Sequence, residues 1–377
     1  GPGDDGGQMS WPEFWIVLLR VVLTFVLLLV VTILNVWAER KILADMQSRI
    51  GPNRAGPFGI LQTVADGLKL FFKESILPRK AELGMYLLAP FLAVIPAFLI
   101  FMSVPWGKPF MIGEYEVALQ GADLNVGLLF ILAMSSLAVY AVVLAGWSSG
   151  SKYPLIGGVR ATAQAISYEA AMGLAMVSVV VFSATQGDGG TLSLAEIVDR
   201  QAGTWGNLIP QLEPVLRFVP RWNIFPQFVA FVIFFIAIVA ETNRSPFDLV
   251  EAEQEIVGGF HTEYSGMRFA MFFLAEYVNI FSMSAIAATL FLGGWNGPTF
   301  DDALPGLISA ILPTVYFLAK TYFIIFLFFW IRATLPRLRY DQLMQLGWKR
   351  LIPGALGWLV ISTFVISFRQ FGLPWSN

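Results

Sequence analysis

Four ionisable residues stand inside long apolar runs: Arg20, Glu169, Glu276 and Lys320. A charge at mid-bilayer costs about 2.5–3.5 kcal/mol on insertion scales, so each needs a partner, water or neutralisation. Glu169, in Ser167-Tyr168-Glu169, and Glu276, in Ala275-Glu276-Tyr277, each lie about eight residues into their runs. At 1.5 Å of rise per residue, both carboxylates fall roughly 10–12 Å from one membrane face. Glu241 closes another run near that face. Three such acids have the composition of a proton relay. The competing reading is structural, each acid accepting hydrogen bonds that lock helices together. Arg20 sits near the outer end of its run and reads as a snorkelling, structural cation. Lys320, in the middle of its run, is available to pair with one of the acids.

The segment 241–268 carries Glu241, Asp248, Glu251, Glu253, Glu255 and Glu263 against Arg244 and Arg268. Its carboxylates alternate with Phe247, Leu249, Val250, Ile256, Val257 and Phe260. A solvated acidic loop has no need of those apolar residues, and the pattern points to partly buried carboxyls. A second unusual segment, 39–83, opens with Glu39-Arg40-Lys41 and runs to Arg49 as an expected amphipathic surface helix. The helix breakers Gly51-Pro52-Asn53-Arg54-Ala55-Gly56-Pro57 follow, then a second amphipathic piece with Asp66, Lys69 and Lys73 at spacings of three and four.

The elements that must position these groups are transmembrane helices. The 377 residues are 56% hydrophobic and 13% charged, about half the charge density of a soluble domain. Too few charges exist to cover a globule, so most of the surface must face lipid or apolar protein. Eight runs reach the roughly 20 residues a bilayer requires: Phe14–Ala38, Gly84–Val104, Leu124–Trp147, Ala161–Thr185, Ile224–Ala240, Phe269–Leu292, Gly306–Ile331 and Leu351–Phe368. The expected fold is an all-α membrane protein of about eight transmembrane helices, a single integral domain over 1–377 with an N-terminal tail at 1–13. The first run differs from a secretory signal, because its leader holds Asp4, Asp5 and Glu13 rather than basic residues. Loops 39–83, 148–160, 241–268 and 332–350 hold 8, 2, 2 and 5 basic residues, against five in the opposite loops and termini. The positive-inside bias therefore puts those loops in the cytoplasm and both termini on the outer side.

Some chemistry is excluded. With no cysteine and one histidine, His261, the chain holds no disulfide, no thiolate-bound iron–sulfur cluster and no bis-histidine haem. Neither of the common glycine-rich nucleotide loops is present, and nothing suggests nucleic acid. Any redox centre belongs to partners.

Several stretches resemble the H subunit of respiratory complex I, the NADH:quinone oxidoreductase. The first is Ala38-Glu39-Arg40-Lys41, then Arg49-Ile50-Gly51-Pro52-Asn53-Arg54-Ala55-Gly56-Pro57 and Ala65-Asp66-Gly67-Leu68-Lys69. The second is Ala240-Glu241-Thr242-Asn243-Arg244-Ser245-Pro246-Phe247-Asp248-Leu249, continuing to His261-Thr262-Glu263-Tyr264 and Ala275-Glu276-Tyr277. Ser167-Tyr168-Glu169 and Arg337-Leu338-Arg339-Tyr340-Asp341 match as well, so the likeness spans about residues 12–370. It implies a subunit at the joint between the redox arm and the proton-pumping arm. Its partners would be peripheral quinone-site subunits and neighbouring membrane-arm subunits, with NADH, FMN and iron–sulfur clusters held elsewhere and quinone as substrate. Carried over by motif, the quinone cavity would use Arg40, Arg54, Asp66, Lys69 and Arg244. Proton coupling would use Glu169, Glu241, Glu253, Glu255, Glu263 and Glu276. One departure stands out: some members have a further glutamate in the third span, where this chain has Ser136-Leu137-Ala138. The resemblance also admits the related subunit of a membrane hydrogenase or a photosynthetic NDH complex. A secondary ion transporter is the rival of another class, but no internal repeat supports it.

Overall fold

The computed structural model describes residues 11–112, 115–186, 189–205, 219–248, 257–297 and 306–371, and these are overwhelmingly helical. Eleven helices organise the described residues: α1 (Trp11–Met46), α2 (Gln62–Phe72), α3 (Leu83–Met102), α4 (Gly127–Ser148), α5 (Lys152–Ser183), α6 (Leu194–Arg200), α7 (Phe228–Glu241), α8 (Met267–Phe291), α9 (Gly306–Thr334), α10 (Tyr340–Leu346) and α11 (Ile352–Phe371). Seven of the apolar helices are long enough to cross a membrane: α1, α3, α4, α5, α8, α9 and the α10–α11 unit. The chain is an all-α membrane protein.

Two expected elements come out differently. The run at Ile224–Ala240 forms only the 14-residue α7, roughly 21 Å long at 1.5 Å per residue and short of the ~30 Å hydrocarbon core. Pro226 interrupts the run and disfavours helix in the residue before it. The preceding turn is held by polar side chains instead, with Asn223 Nδ2 donating to the Leu290 carbonyl at 2.9 Å. The first amphipathic helix is also not a separate element. Ala38 to Asp45 contains no breaker, so α1 runs unbroken for 36 residues, roughly 54 Å, and carries Glu39 and Arg40 in its last two turns. The second amphipathic piece forms as expected, as α2, with Phe71 and Phe72 exposed.

Sequence position alone did not reveal a hairpin between α3 and α4. Strand β1 (Gly107–Ile112) pairs antiparallel with β2 (Tyr115–Leu119). Arg20 donates from Nε and Nη2 to the adjoining Gln120 carbonyl at 3.2 and 3.0 Å, so it is a structural cation as expected.

Helices in lipid gain nothing from the hydrophobic effect against one another, so close packing and polar contacts must join them. Helix α8 is the centre, buried continuously from Ile280 to Phe291 and packed on α1, α3, α7 and α9. Small residues bring α4 against α5, where a Cβ at Gly146 would stand 2.5 Å from the Pro154 carbonyl oxygen. In contrast, Leu19, Val22, Val26 and Val30 on α1 are exposed, which suits lipid rather than water.

Candidate functional site

The end of α7 builds the site. Thr242 caps the helix and Asn243 takes the left-handed conformation, φ 51°, which asparagine tolerates better than most residues. The Arg244 amide then donates to the Val239 carbonyl at 3.3 Å and the Asn243 amide to Ala240 at 3.2 Å. These are the two bonds of a Schellman motif. Glu241-Thr242-Asn243-Arg244 is thus one helix terminus, and its geometry sends the acid and the guanidinium in fixed directions. Gln164 on α5 clamps the turn, its Nε2 donating to the carbonyls of Ala240 (2.7 Å) and Phe247 (2.9 Å).

Arg244 is 7% exposed and links two buried carboxylates. Its Nη1 lies 3.2 Å from Glu39 Oε1 and its Nε 2.8 Å from Glu276 Oε1. The guanidinium also lies 4.6 Å from the Tyr277 ring centre, in cation–π range. Glu39, 2% exposed, takes a second ion pair from Arg332 of α9. The network therefore ties α1, the α7 terminus, α8 and α9 together. Sequence reading missed Glu39 and Arg332 as members. They lie 205 and 88 positions from Arg244, and no local pattern links them.

Glu241 and Glu276 line a common cavity of about 120 Å³, with Ser135, Asn279, His261 and Thr162 in its wall. That volume holds several waters. Glu169 borders it through α4: Ser135 Oγ donates to Glu169 Oε1 at 3.0 Å and Ser136 Oγ donates to the same oxygen. The two serines occupy the part of α4 where the further glutamate is absent. The structure thus brings Glu169, Glu241 and Glu276 around one locus, although α5 starts at Lys152, nine residues earlier than expected.

The remaining predicted residues fall in other places. Arg40 pairs with Asp66 at 2.5 Å, and Gln62 Nε2 supports Asp66 Oδ1 at 3.0 Å, so α2 is pinned to the end of α1. Arg54 and Lys69 are exposed nearby, in the turn and in the last turn of α2. None of these four lines the Glu241 cavity, whereas Arg244 belongs to the buried network beside it. Glu263 is also outside the cavity lining, in a cluster where Tyr86 Oη donates to its backbone carbonyl at 2.8 Å. There Tyr86 and Tyr264 stack at 4.2 Å, and burial pushes the Tyr264 phenol up to about 12. Glu253 and Glu255 lie outside the described residues. Among the described residues Lys320 pairs with no acid. Its ammonium donates to the carbonyls of Leu292 (2.7 Å), Gly294 (2.9 Å) and Asn296 at the end of α8 and lies 4.5 Å from the Trp222 ring centre. The exposed carbonyls of a helix C-terminus attract a cation, so Lys320 caps α8. Among the described residues no group of three or more His, Cys, Asp or Glu side chains is placed to hold a metal.

A bundle of membrane helices with a charged, cavity-bearing centre is the class of protein defined so far. The model of the family described as NADH dehydrogenase matches residues 19–363. The NADH-quinone oxidoreductase H subunit of Frankia alni is 48% identical over 378 residues, covering all of this chain and 77% of that protein. Its counterpart in Frankia casuarinae is 49% identical over 365 residues, covering 96% of this chain and 76% of that protein. The chain belongs to this family, the H subunits of the NADH-quinone oxidoreductases.

Proposed function

We propose that this chain is the quinone-site membrane subunit of a proton-pumping NADH:quinone oxidoreductase and couples quinone reduction to proton movement through its buried carboxylates. The observation that carries the reading is the shared guanidinium of Arg244. Glu39, at one end of the network, is adjacent in sequence to Arg40, whose pair with Asp66 sits at the α1–α2 surface. Glu276, at the other end, opens on the cavity with Glu241.

In this reading the quinone headgroup enters along α1 and α2, where Arg40, Arg54, Asp66 and Lys69 give polar contacts and peripheral subunits supply the rest of the enclosure. Reduction of a quinone to a neutral quinol takes up two electrons from the redox partners and two protons, and groups beside Arg40 that give up those protons are left more negative. A guanidinium shared between two carboxylates answers such a change by drawing closer to one of them. The other acid loses its counter-ion and gains affinity for a proton. Glu241 and Glu169 then pass the proton on, towards neighbouring membrane-arm subunits, because Glu241 lines the cavity that Ser135 shares with it and Ser135 donates to Glu169. Glu253, Glu255 and Glu263 would complete the acidic path. The iron–sulfur clusters belong to partner chains, since this one has no cysteine to hold them, and NADH and FMN are assigned to the same partners. The basic loops face the cytoplasm of a bacterial plasma membrane, with both termini on the outer side.

Glutamine keeps the shape of glutamate while removing its titration. Glu241→Gln and Glu276→Gln enzymes are therefore expected to assemble normally yet lose most quinone-linked NADH oxidation and proton pumping together. Assembled variants with full activity and an unchanged proton-to-electron ratio would make these acids structural.

A further inference from the structure

Ser135 occupies a distinctive position. It is buried, 3% exposed, on the cavity-facing side of α4. Its single hydroxyl proton is directed to Glu169 Oε1 at 3.0 Å, and Ser135 and Glu241 line the same cavity. A hydroxyl has one donor and two acceptor lone pairs. With the proton spent on Glu169, the lone pairs remain for Glu241. Glu241 has a matching need: its Oε2 is closed to solvent and has no hydrogen-bond partner among the described residues.

We propose that Ser135 is the proton bridge between Glu241 and Glu169, a positioning and relay hydroxyl that carries the proton across the gap between the two helices bearing the acids. The proposal rests on the proton-coupling reading above and names the connecting residue. Protonated Glu241 donates its O–H to Ser135 Oγ while the Ser135 O–H donates to ionised Glu169, forming a chain of three oxygens. Transfer breaks the Glu241 O–H bond and forms a new one at Ser135 Oγ. In the same step the original Ser135 O–H bond breaks and its proton joins Glu169. The products are ionised Glu241, neutral Glu169 and an intact serine whose hydroxyl has reversed direction. No charge rests on the serine. Ser136 is exposed and its hydroxyl also donates to Glu169, so an exposed side chain stands against Glu169 on the side where a proton would leave.

The test uses the assembled enzyme in sealed vesicles, with quinone-linked turnover, pumping and the solvent deuterium isotope effect measured for Ser135→Ala and Ser135→Thr. Ser135→Ala is expected to slow quinone-linked turnover about tenfold and to raise the isotope effect. That is less than the ~10²–10⁴ of a direct acid–base group, because cavity water partly replaces the hydroxyl. NADH oxidation by a hydrophilic acceptor should persist, and Ser135→Thr, which keeps the hydroxyl, should restore turnover and isotope effect. Ser135→Cys carries the same test should the alanine enzyme fail to assemble: its weak S–H donor should slow turnover, and a wild-type rate overturns the bridge. Wild-type turnover and isotope effect in Ser135→Ala also overturn it. Glu241→Gln, measured alongside, separates the two levels. An inactive Glu241→Gln with a wild-type Ser135→Ala removes the bridge alone, whereas a fully active Glu241→Gln removes the coupling reading and the bridge with it.

Discussion

At the scale of single residues, the site is governed by how few charges share one buried space. Arg244 faces Glu39 and Glu276, and Arg332 also reaches Glu39. Removing one partner of a buried ion pair typically costs about 3–5 kcal/mol, because the other charge is stranded. Glu39→Gln is therefore expected to lower the thermal midpoint of the assembled enzyme and depress quinone-linked activity, as Arg244 settles on Glu276 alone. A thermal unfolding scan paired with turnover checks this, and an unchanged midpoint would show that Arg332 and Arg244 find other counter-ions. Arg244, Glu241 and Glu276 were legible in the sequence because they stand in motifs and at the ends or interiors of apolar runs. Glu39, Arg332 and Ser135 were not, since each meets its partners only when helices distant in sequence pack together. Glu39 looked like one more charge in a basic loop until the unbroken α1 turned it inward and left Arg40 outward. Lys320 was visible as an anomaly, but its partners are backbone carbonyls, and no sequence pattern distinguishes those from carboxylates.

At the scale of elements, the apolar runs predicted the spans well, because hydropathy reports directly what lipid demands of the backbone. The exceptions have local causes. Pro226 shortens α7, and the lack of any breaker after Ala38 prolongs α1. The hairpin β1–β2 falls in a short connection whose strands, GKPFMI and YEVAL, are too brief for periodicity to separate from the flanking apolar runs. The most consequential element is the Schellman terminus of α7, whose cue is the Asn243 that follows Glu241-Thr242. A second is α2, held to α1 by Arg40–Asp66, while Trp37 Nε1 of α1 donates to the Phe58 carbonyl at 3.0 Å in the turn before it. Its exposed Lys69 stands one turn from Asp66. Lys69→Ala should leave the helix in place, since alanine is the better helix former, and lower quinone reductase activity several-fold. NADH oxidation by an artificial hydrophilic acceptor should persist. An equal loss of both activities in assembled enzyme would assign Lys69 to assembly rather than to quinone.

At the scale of the whole molecule, one buried guanidinium stands between a charged surface at the end of α1 and α2 and a cavity among α3, α4, α5, α7 and α8. The direction of the device depends on orientation. Cysteines placed at Lys108 and Gly190 should react with an impermeant thiol reagent from outside sealed cells, and those at Lys152 and Arg339 should not. Reversed labelling would move the acidic segment to the wrong side for the redox partners. The most direct test of the coupling itself is redox-triggered infrared difference spectroscopy of the assembled enzyme, following the carboxyl C=O band as bound quinone is reduced. The account predicts a change in that band in the wild-type enzyme and its loss in Glu241→Gln. A band of the same size in both enzymes would contradict it, because Glu241 would then take no part in the protonation change that quinone reduction sets off.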